Sequence, residues 1–247
     1  MKLNKVEPKY ISKSNPRIGL ITLGSDFRIE KDFNNVIYGR NIDLFVNRIH
    51  CYNPLTKETL AKMAEDITEV TKDILPEQKI DCIAYGCTSG TVAAGYDVIK
   101  TKVNLAKPDA KVTTPITSAI KALRKLGINK ISVFTPYTKT INDFVINYFK
   151  EENIIVNSLT YFDIDSDLDI GKVDENYLFD VLSKINLKDS DALFVSCTAL
   201  PVLSIIDRLE KKLDKIVLSS NQTLIWDSLN EIDYKKKIEG FGKLFDN

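Results

Sequence analysis

Two segments carry residues that could do chemistry, 81-DCIAYGCTSGTVAAG-95 and 191-DALFVSCTALPVLSI-205. Each runs from an aspartate through a short apolar strand to a Cys-Thr pair, then into a stretch suited to turn and become a helix. Cys87 falls in one half of the chain and Cys197 in the other. A thiol at a helix N-terminus feels the positive end of the helix dipole, which lowers its pKa from ~8.5 toward the range where thiolate exists at neutral pH. The same backbone N–H groups, with the Thr88 and Ser89 hydroxyls, suit a carboxylate. Pro201 stands where a first helical residue after Cys197 is expected, so the second thiol reads in the same context. Most free cysteines are small buried hydrophobes, and either one alone reads that way. The repeated strand–Cys–Thr–helix context instead points to a pair of acid/base groups facing each other across a cleft. Cys82, inside an apolar strand, and Cys51, at a strand end with no helix start after it, read as structural.

Other chemistry is scarce. His50 is the single histidine, which leaves almost no room for Ser-His-Asp or Cys-His hydrolysis or for a His-rich metal centre. It reads as a partly buried structural residue. The four cysteines show no CxxC or clustered-ligand spacing, so neither a disulfide framework nor a metal site is expected. They read as free thiols of a reducing, cytoplasmic setting. Lys plus Arg and Asp plus Glu balance at 34 each, so no net field favours nucleic acid or an anionic membrane. No apolar run approaches the ~20 residues of a membrane span, and the start MKLNKVEPKY lacks the apolar core of a signal peptide. The acidic run 163-DIDSDLD-169 lacks the glycine and terminal glutamate of an EF-hand.

Strands are expected over 17–23, 44–51, 81–87, 111–114, 130–135, 154–162, 192–197 and 216–220. Helices fill the intervals, including 56–75 with Thr56 as N-cap, 88–105, 115–127, 201–213 and one from Asn221 onward. Alternating strands and helices imply parallel sheets covered on both faces. The chain therefore reads as an α/β protein of two pseudo-symmetric Rossmann-like lobes, each a parallel sheet flanked by helices. The expected division is 1–113 plus 222–247 for the first lobe and 114–221 for the second. Ligands bind beyond the carboxyl ends of such strands, which places the site in the cleft between the lobes, among 24-GSD-26, 87-CTS-89, 136-PYT-138 and 197-CTA-199.

The stretches RIGLITLGSDFRIEKDF, NRIHCYNPLTKETLAKMA, AYGCTSGTVAAG, KPDAKVTTPITSAIKALRKLGINKISVFTPYT, LFVSCTALP and VLSSNQTLIWDSL together resemble the aspartate/glutamate racemase superfamily. Within it they resemble the maleate cis–trans isomerase/arylmalonate decarboxylase branch, and most of all its ectoine-utilisation EutA-type members. The resemblance implies a cofactor-independent, two-cysteine isomerase or racemase of a small carboxylate or amino-acid derivative, possible in ectoine degradation. A maleate cis–trans isomerase and a non-catalytic ligand-binding relative are the alternatives, and a homodimer is compatible with the superfamily. Carried over by position, Cys87 and Cys197 are the catalytic pair. Tyr137 hydrogen-bonds a substrate carboxylate, and Thr88, Ser89, Thr138 and Thr198 supply further donors.

Departures from the family pattern concern the substrate. Maleate isomerases have Asn where this chain has Asp26, and Asp167 stands similarly for a second Asn. An ionised aspartate only accepts hydrogen bonds and repels a dicarboxylate. Asp26 therefore fits a substrate ammonium, a base-supporting role, or a cap for the following helix. Arylmalonate decarboxylases lack the first cysteine, so Cys87 argues against plain decarboxylation. Asn221, at a strand end near the cleft, either caps its helix or contacts ligand.

Overall fold

The segment RIGLITL, β1 (Arg17–Leu23), is apolar on both faces and buried along all but its first residue, as a parallel strand covered by helices requires. In this computed structural model, which describes residues 1 and 3–246, β1 pairs with β2 (Asp43–Ile49) and β3 (Cys82–Gly86), and β3 with β4 (Lys111–Thr113). The second half builds β5 (Lys130–Thr135), β6 (Ile155–Tyr161), β7 (Ala192–Val195) and β8 (Ile216–Ser219). The two sheets run β2–β1–β3–β4 and β6–β5–β7–β8. Every pairing is parallel, so the second sheet repeats the first strand for strand. Parallel order puts all carboxyl ends of a sheet on one side, and there β3 and β7 each deliver a cysteine.

Helices fill the crossovers. They are α1 (Ile29–Ile37), α2 (Lys57–Lys62), α3 (Ile67–Lys72), α4 (Thr88–Ala94), α5 (Tyr96–Ala106), α6 (Pro115–Lys125), α7 (Lys139–Glu151), α8 (Asp167–Gly171), α9 (Glu175–Leu182), α10 (Ile206–Leu213) and α11 (Ser220–Glu231). Thr56 caps α2 reciprocally with Thr59: Thr56 Oγ1 accepts from Thr59 N at 3.2 Å, and Thr59 Oγ1 from Thr56 N at 2.8 Å. The single helix expected over 56–75 is instead α2 and α3 joined by a tight turn at Met63–Asp66. The helix expected over 88–105 breaks at Gly95, whose φ of 87° lies in the region that glycine enters without a Cβ clash. Part of the expected acidic loop 163–169 is α8.

α11 follows β8 in sequence but packs against α6, β3, β4 and α1. Its residues Ser220 to Leu229 are all buried. Buried Asp227 accepts from Ser118 Oγ at 2.8 Å and from Lys121 Nζ at 2.9 Å, and Ser228 bonds Thr113 at 2.8 Å. These contacts tie the last turns of α11 to α6 and to β4 of the first sheet. No helix among the described residues is long and apolar enough to cross a membrane.

Candidate active site

β3 is buried throughout and ends at Cys87, which caps α4 with φ −144° and accepts from Gly90 N at 3.2 Å through its Sγ. Ser89 Oγ lies 4.0 Å from the same sulfur. The helix start is as the sequence indicates, but the expected acidic thiol is not. Burial pushes the Cys87 thiol well above its ordinary value, the Gly90 N–H opposes this, and the charge of Asp167 adds to the rise. One N–H and a short helix do not offset the loss of water around a thiolate.

The second thiol departs further from expectation. β7 stops at Val195, two residues short of Cys197, and no helix begins until Ile206, after a tight turn at Leu203–Ile205. Pro201 is therefore not a first helical residue. It disfavours helix for Leu200 before it, and Ala199, Leu200, Val202 and Leu203 run irregularly into the core. Cys197 itself has φ +94°, a left-handed conformation that a residue with a Cβ adopts at a cost of roughly 1–3 kcal/mol. Burial also raises this thiol well above its ordinary range. Asp167 adds to the rise, while the Ala199 N–H and the Tyr137 hydroxyl oppose it.

Three hydrogen bonds stitch the two turns together. Ser220, at the start of α11, accepts from Thr88 Oγ1 at 2.8 Å and from Cys197 N at 3.0 Å. Thr198 Oγ1 donates to Gly86 O at 3.3 Å. The Thr88 and Thr198 hydroxyls are thus committed to holding the turns. Tyr137, buried after β5, lies beside both thiols, and its hydroxyl accepts from Ser196 Oγ at 3.4 Å.

The β1–α1 loop supplies Asp26. Its Oδ1 caps α1, accepting from Arg28 N at 2.7 Å and Ile29 N at 3.0 Å, while buried Oδ2 has no partner among the described residues. Burial raises this carboxyl, and the two N–H groups oppose it. Thr198 is also close, but its hydroxyl is donated to Gly86 O. Arg48 braces the loop from outside, bonding Asp26 O at 2.7 Å and Leu23 O at 3.1 Å and pairing with Glu30 at 2.7 Å. Asp167 comes from the other lobe and accepts from Ser25 Oγ at 2.5 Å. Burial pushes it to about 6, with Ser25 opposing and Asp26 adding.

Three groups near the site went unread or misread in the sequence. Asp32 on α1 accepts from Asn221 Nδ2 at 2.7 Å, and the same amide donates to Thr198 O at 2.8 Å. Burial pushes Asp32 to about 7, against the Asn221 donor and with Asp26 adding. Its position on the buried face of an amphipathic helix was the available signal. Cys51 is half-buried beside Ser25, Asp167 and Asp26, and burial pushes its thiol to about 11. It is a neighbour of the cleft, which its reading as a structural strand-end residue did not indicate. His50 lies exposed beyond β2, its ring 4.4 Å from that of Tyr52.

The lobes are closed over this cluster. Leu55 N bonds Asp165 O at 2.9 Å, Asp167 N bonds Asn53 Oδ1 at 3.4 Å, and Arg28 Nη2 bonds Gly171 O at 3.2 Å. Asp26, Cys87, Thr88, Ser89, Tyr137, Asp167, Cys197, Thr198 and Asn221 are all at most 5% exposed. Thr138 is not among them. It lines a separate depression of about 500 Å³ between Pro54–Glu58 and the start of α7, which none of the other candidate site residues lines.

Two parallel sheets of the same strand order, with a cysteine beyond the third strand of each and the two cysteine turns bridged by Ser220, define a two-lobed α/β protein. The chain belongs to the arylmalonate decarboxylase family, whose model matches residues 35–245. It is 25% identical over 242 residues to a maleate isomerase of Geobacillus stearothermophilus, covering 92% of this chain and 96% of that one. Its fold superposes on the maleate isomerase Iso from Pseudomonas putida S16 with a TM-score of 0.86 at 22% identity, over 94% of this chain and 98% of that one. The TM-score is also 0.86, at 18% identity and the same coverage, for a cysteine-to-serine mutant of the Nocardia farcinica maleate cis–trans isomerase with a covalently bound succinylcysteine intermediate.

Proposed function

We propose that this chain is a cofactor-independent isomerase or racemase that acts on a small carboxylate through Cys87 and Cys197. The observation that supports this most is Ser220, whose hydroxyl joins Thr88 to the Cys197 N–H and so holds the two strand-end turns at one site. In racemisation, one thiolate takes the proton from the carbon α to the carboxylate, and its electron pair passes into the carboxylate as an enolate. The opposite thiol then returns a proton to the other face, and the two sulfurs exchange protonation states. In this reading the Ser89 and Tyr137 hydroxyls steady the carboxylate, together with the backbone of Thr88 and Thr198.

A second reading is maleate isomerisation, favoured by the names of the relatives. There a thiolate adds to one alkene carbon, the central bond rotates, and the thiolate is expelled as the double bond re-forms. The finer resemblance to ectoine-utilisation proteins would instead put the substrate among amino-acid derivatives related to diaminobutyrate, handled in the cytoplasm. NMR in heavy water tests the proposal, with candidate amino acids and maleate each incubated with the protein. Deuterium at the α-carbon supports racemisation, and fumarate from maleate supports the second reading. A ligand that binds with neither outcome would make the chain a binding protein and overturn the proposal.

A further inference from the structure

The cleft holds two buried hydrogen-bond acceptors without a partner among the described residues, Asp26 Oδ2 and Asn221 Oδ1. Their residues are 1% and 2% exposed, and an unmet buried acceptor costs free energy unless a ligand donates to it. Asn221 is oriented by its own amide, which gives both N–H bonds away, to Asp32 Oδ2 and Thr198 O, so its oxygen is the atom left over. Asp26 meets the same two neighbours: its charge acts on Asp32, and Thr198 lies beside it. Both orphaned acceptors therefore share Asp32 and Thr198 as neighbours, next to the Cys197 turn.

Buried carboxyls crowd this part of the cleft, where the charges of Arg28 and Lys31 reach Asp32 and that of Arg48 reaches Asp26. Asp26, Asp32 and Asp167 are buried there, and none makes an ion pair among the described residues. Arg48 is taken by backbone oxygens and Glu30. Arg28 gives Nη2 to Gly171 O and lies 5.3 Å over the Phe27 ring, and its buried Nε has no hydrogen-bond partner among the described residues. The buried Lys107 bonds Leu75 O and Gln78 O, at the amino-terminal side of β3. A dicarboxylate would add negative charge and offer no donor to either orphan, whereas an ammonium brings three donors and a compensating charge.

Resting on the two-thiol reading above, we propose that Asp26, Asn221 and Asp167 form an ammonium subsite, so that the substrate is an amino carboxylate rather than a dicarboxylate. The subsite also serves the chemistry. Asp167 and Asp26 both press on the Cys197 thiol, and Asp167 on Cys87. A bound ammonium offsets that pressure and makes a thiolate easier to form when substrate is present.

Titration calorimetry at neutral pH tests this with common α-amino acids and α,ω-diamino acids, each paired with its deaminated acid, and with maleate. At least one amino ligand is expected to bind tenfold or more tightly than its deaminated partner. Asp26→Asn, which keeps the helix cap, and Asp167→Asn should each weaken that ligand at least tenfold and leave the deaminated acid unchanged or tighter. The proposal is overturned if no amino ligand binds, if maleate or the deaminated acids bind more tightly, or if the variants weaken both classes alike, as a subsite filled by water alone would give. Maleate turnover that needs both cysteines would sink the ammonium subsite and leave the two-thiol reading intact. Amino-acid binding without cysteine-dependent exchange would do the reverse.

Discussion

The two cysteine turns share an Asp-led apolar strand and a Cys-Thr pair in sequence and are held by different physics. At Cys87 the thiol sits on a local structure: extended backbone, an immediate helix, and a Gly90 N–H pointing at the sulfur. At Cys197 no helix follows, the backbone is left-handed, and the turn is secured by partners far away in sequence. Ser220 takes its N–H, Gly86 takes the Thr198 hydroxyl, and Asn221 takes the Thr198 carbonyl. The sheets repeat, but the site they frame is asymmetric. A duplicated fold supplies two opposed positions, and tertiary contacts then give each its own environment.

The largest effect is expected where the local turn is tightest. A Cβ on Gly90 would stand 2.8 Å from Cys87 Sγ and 3.0 Å from Tyr85 Oη, so Gly90→Ala must displace the thiol. Steady-state kinetics should show kcat lower by about tenfold to a hundredfold, the usual consequence of moving a reacting group by a fraction of an ångström to an ångström. Unchanged kcat would mean that the sulfur is not held by this turn.

The second turn should instead carry the pH dependence, because Asn221 links it to Asp32. Folding raises Asp32 to about 7 and Asp167 to about 6 from the ordinary 3.8. The fold therefore favours their protonated forms, a stabilisation present below about pH 4 and lost as pH rises through about 6 to 7. Urea unfolding should show stability falling across that window by on the order of a few kcal/mol, with a flatter profile in Asp32→Asn. A profile with the same slope in the variant would remove Asp32 from the account.

The smallest effect is a reversed ranking of two substitutions. Ser is the better cap for a helix start, so Cys87→Ser should be more stable than Cys87→Gly by a few tenths of a kcal/mol. At the left-handed position the order inverts, and Cys197→Gly should exceed Cys197→Ser by about 1 kcal/mol. Urea midpoints of the four variants decide this, and a shared ranking would erase the distinction between the turns.

The same contrast explains what was legible in the sequence. β1 and β5 lie where the apolar runs put them, because a doubly covered parallel strand has little freedom in its pattern. Thr56 and Pro115 open helices as their residue types indicate. Gly95 was readable as a helix break and was passed over inside an otherwise helical run. The irregular path after Cys197 was not legible, since it depends on Ser220 and Asn221 from another element. Asp32 and Cys51 lie on an ordinary helix and beyond an ordinary strand end, and their part in the site shows only through partners from other elements, Asn221 for Asp32 and Ser25 and Asp167 for Cys51. Asp26 had been open between cap and ligand contact. One of its oxygens is a cap and the other is unpartnered.

The central claim is that both turns act on one ligand, and the most direct measurement is turnover of Cys87→Ser and Cys197→Ser on the same substrate under the same conditions. The paired-thiol account predicts that each variant stays folded and loses at least about a thousandfold in kcat. Wild-type turnover in either variant would contradict it.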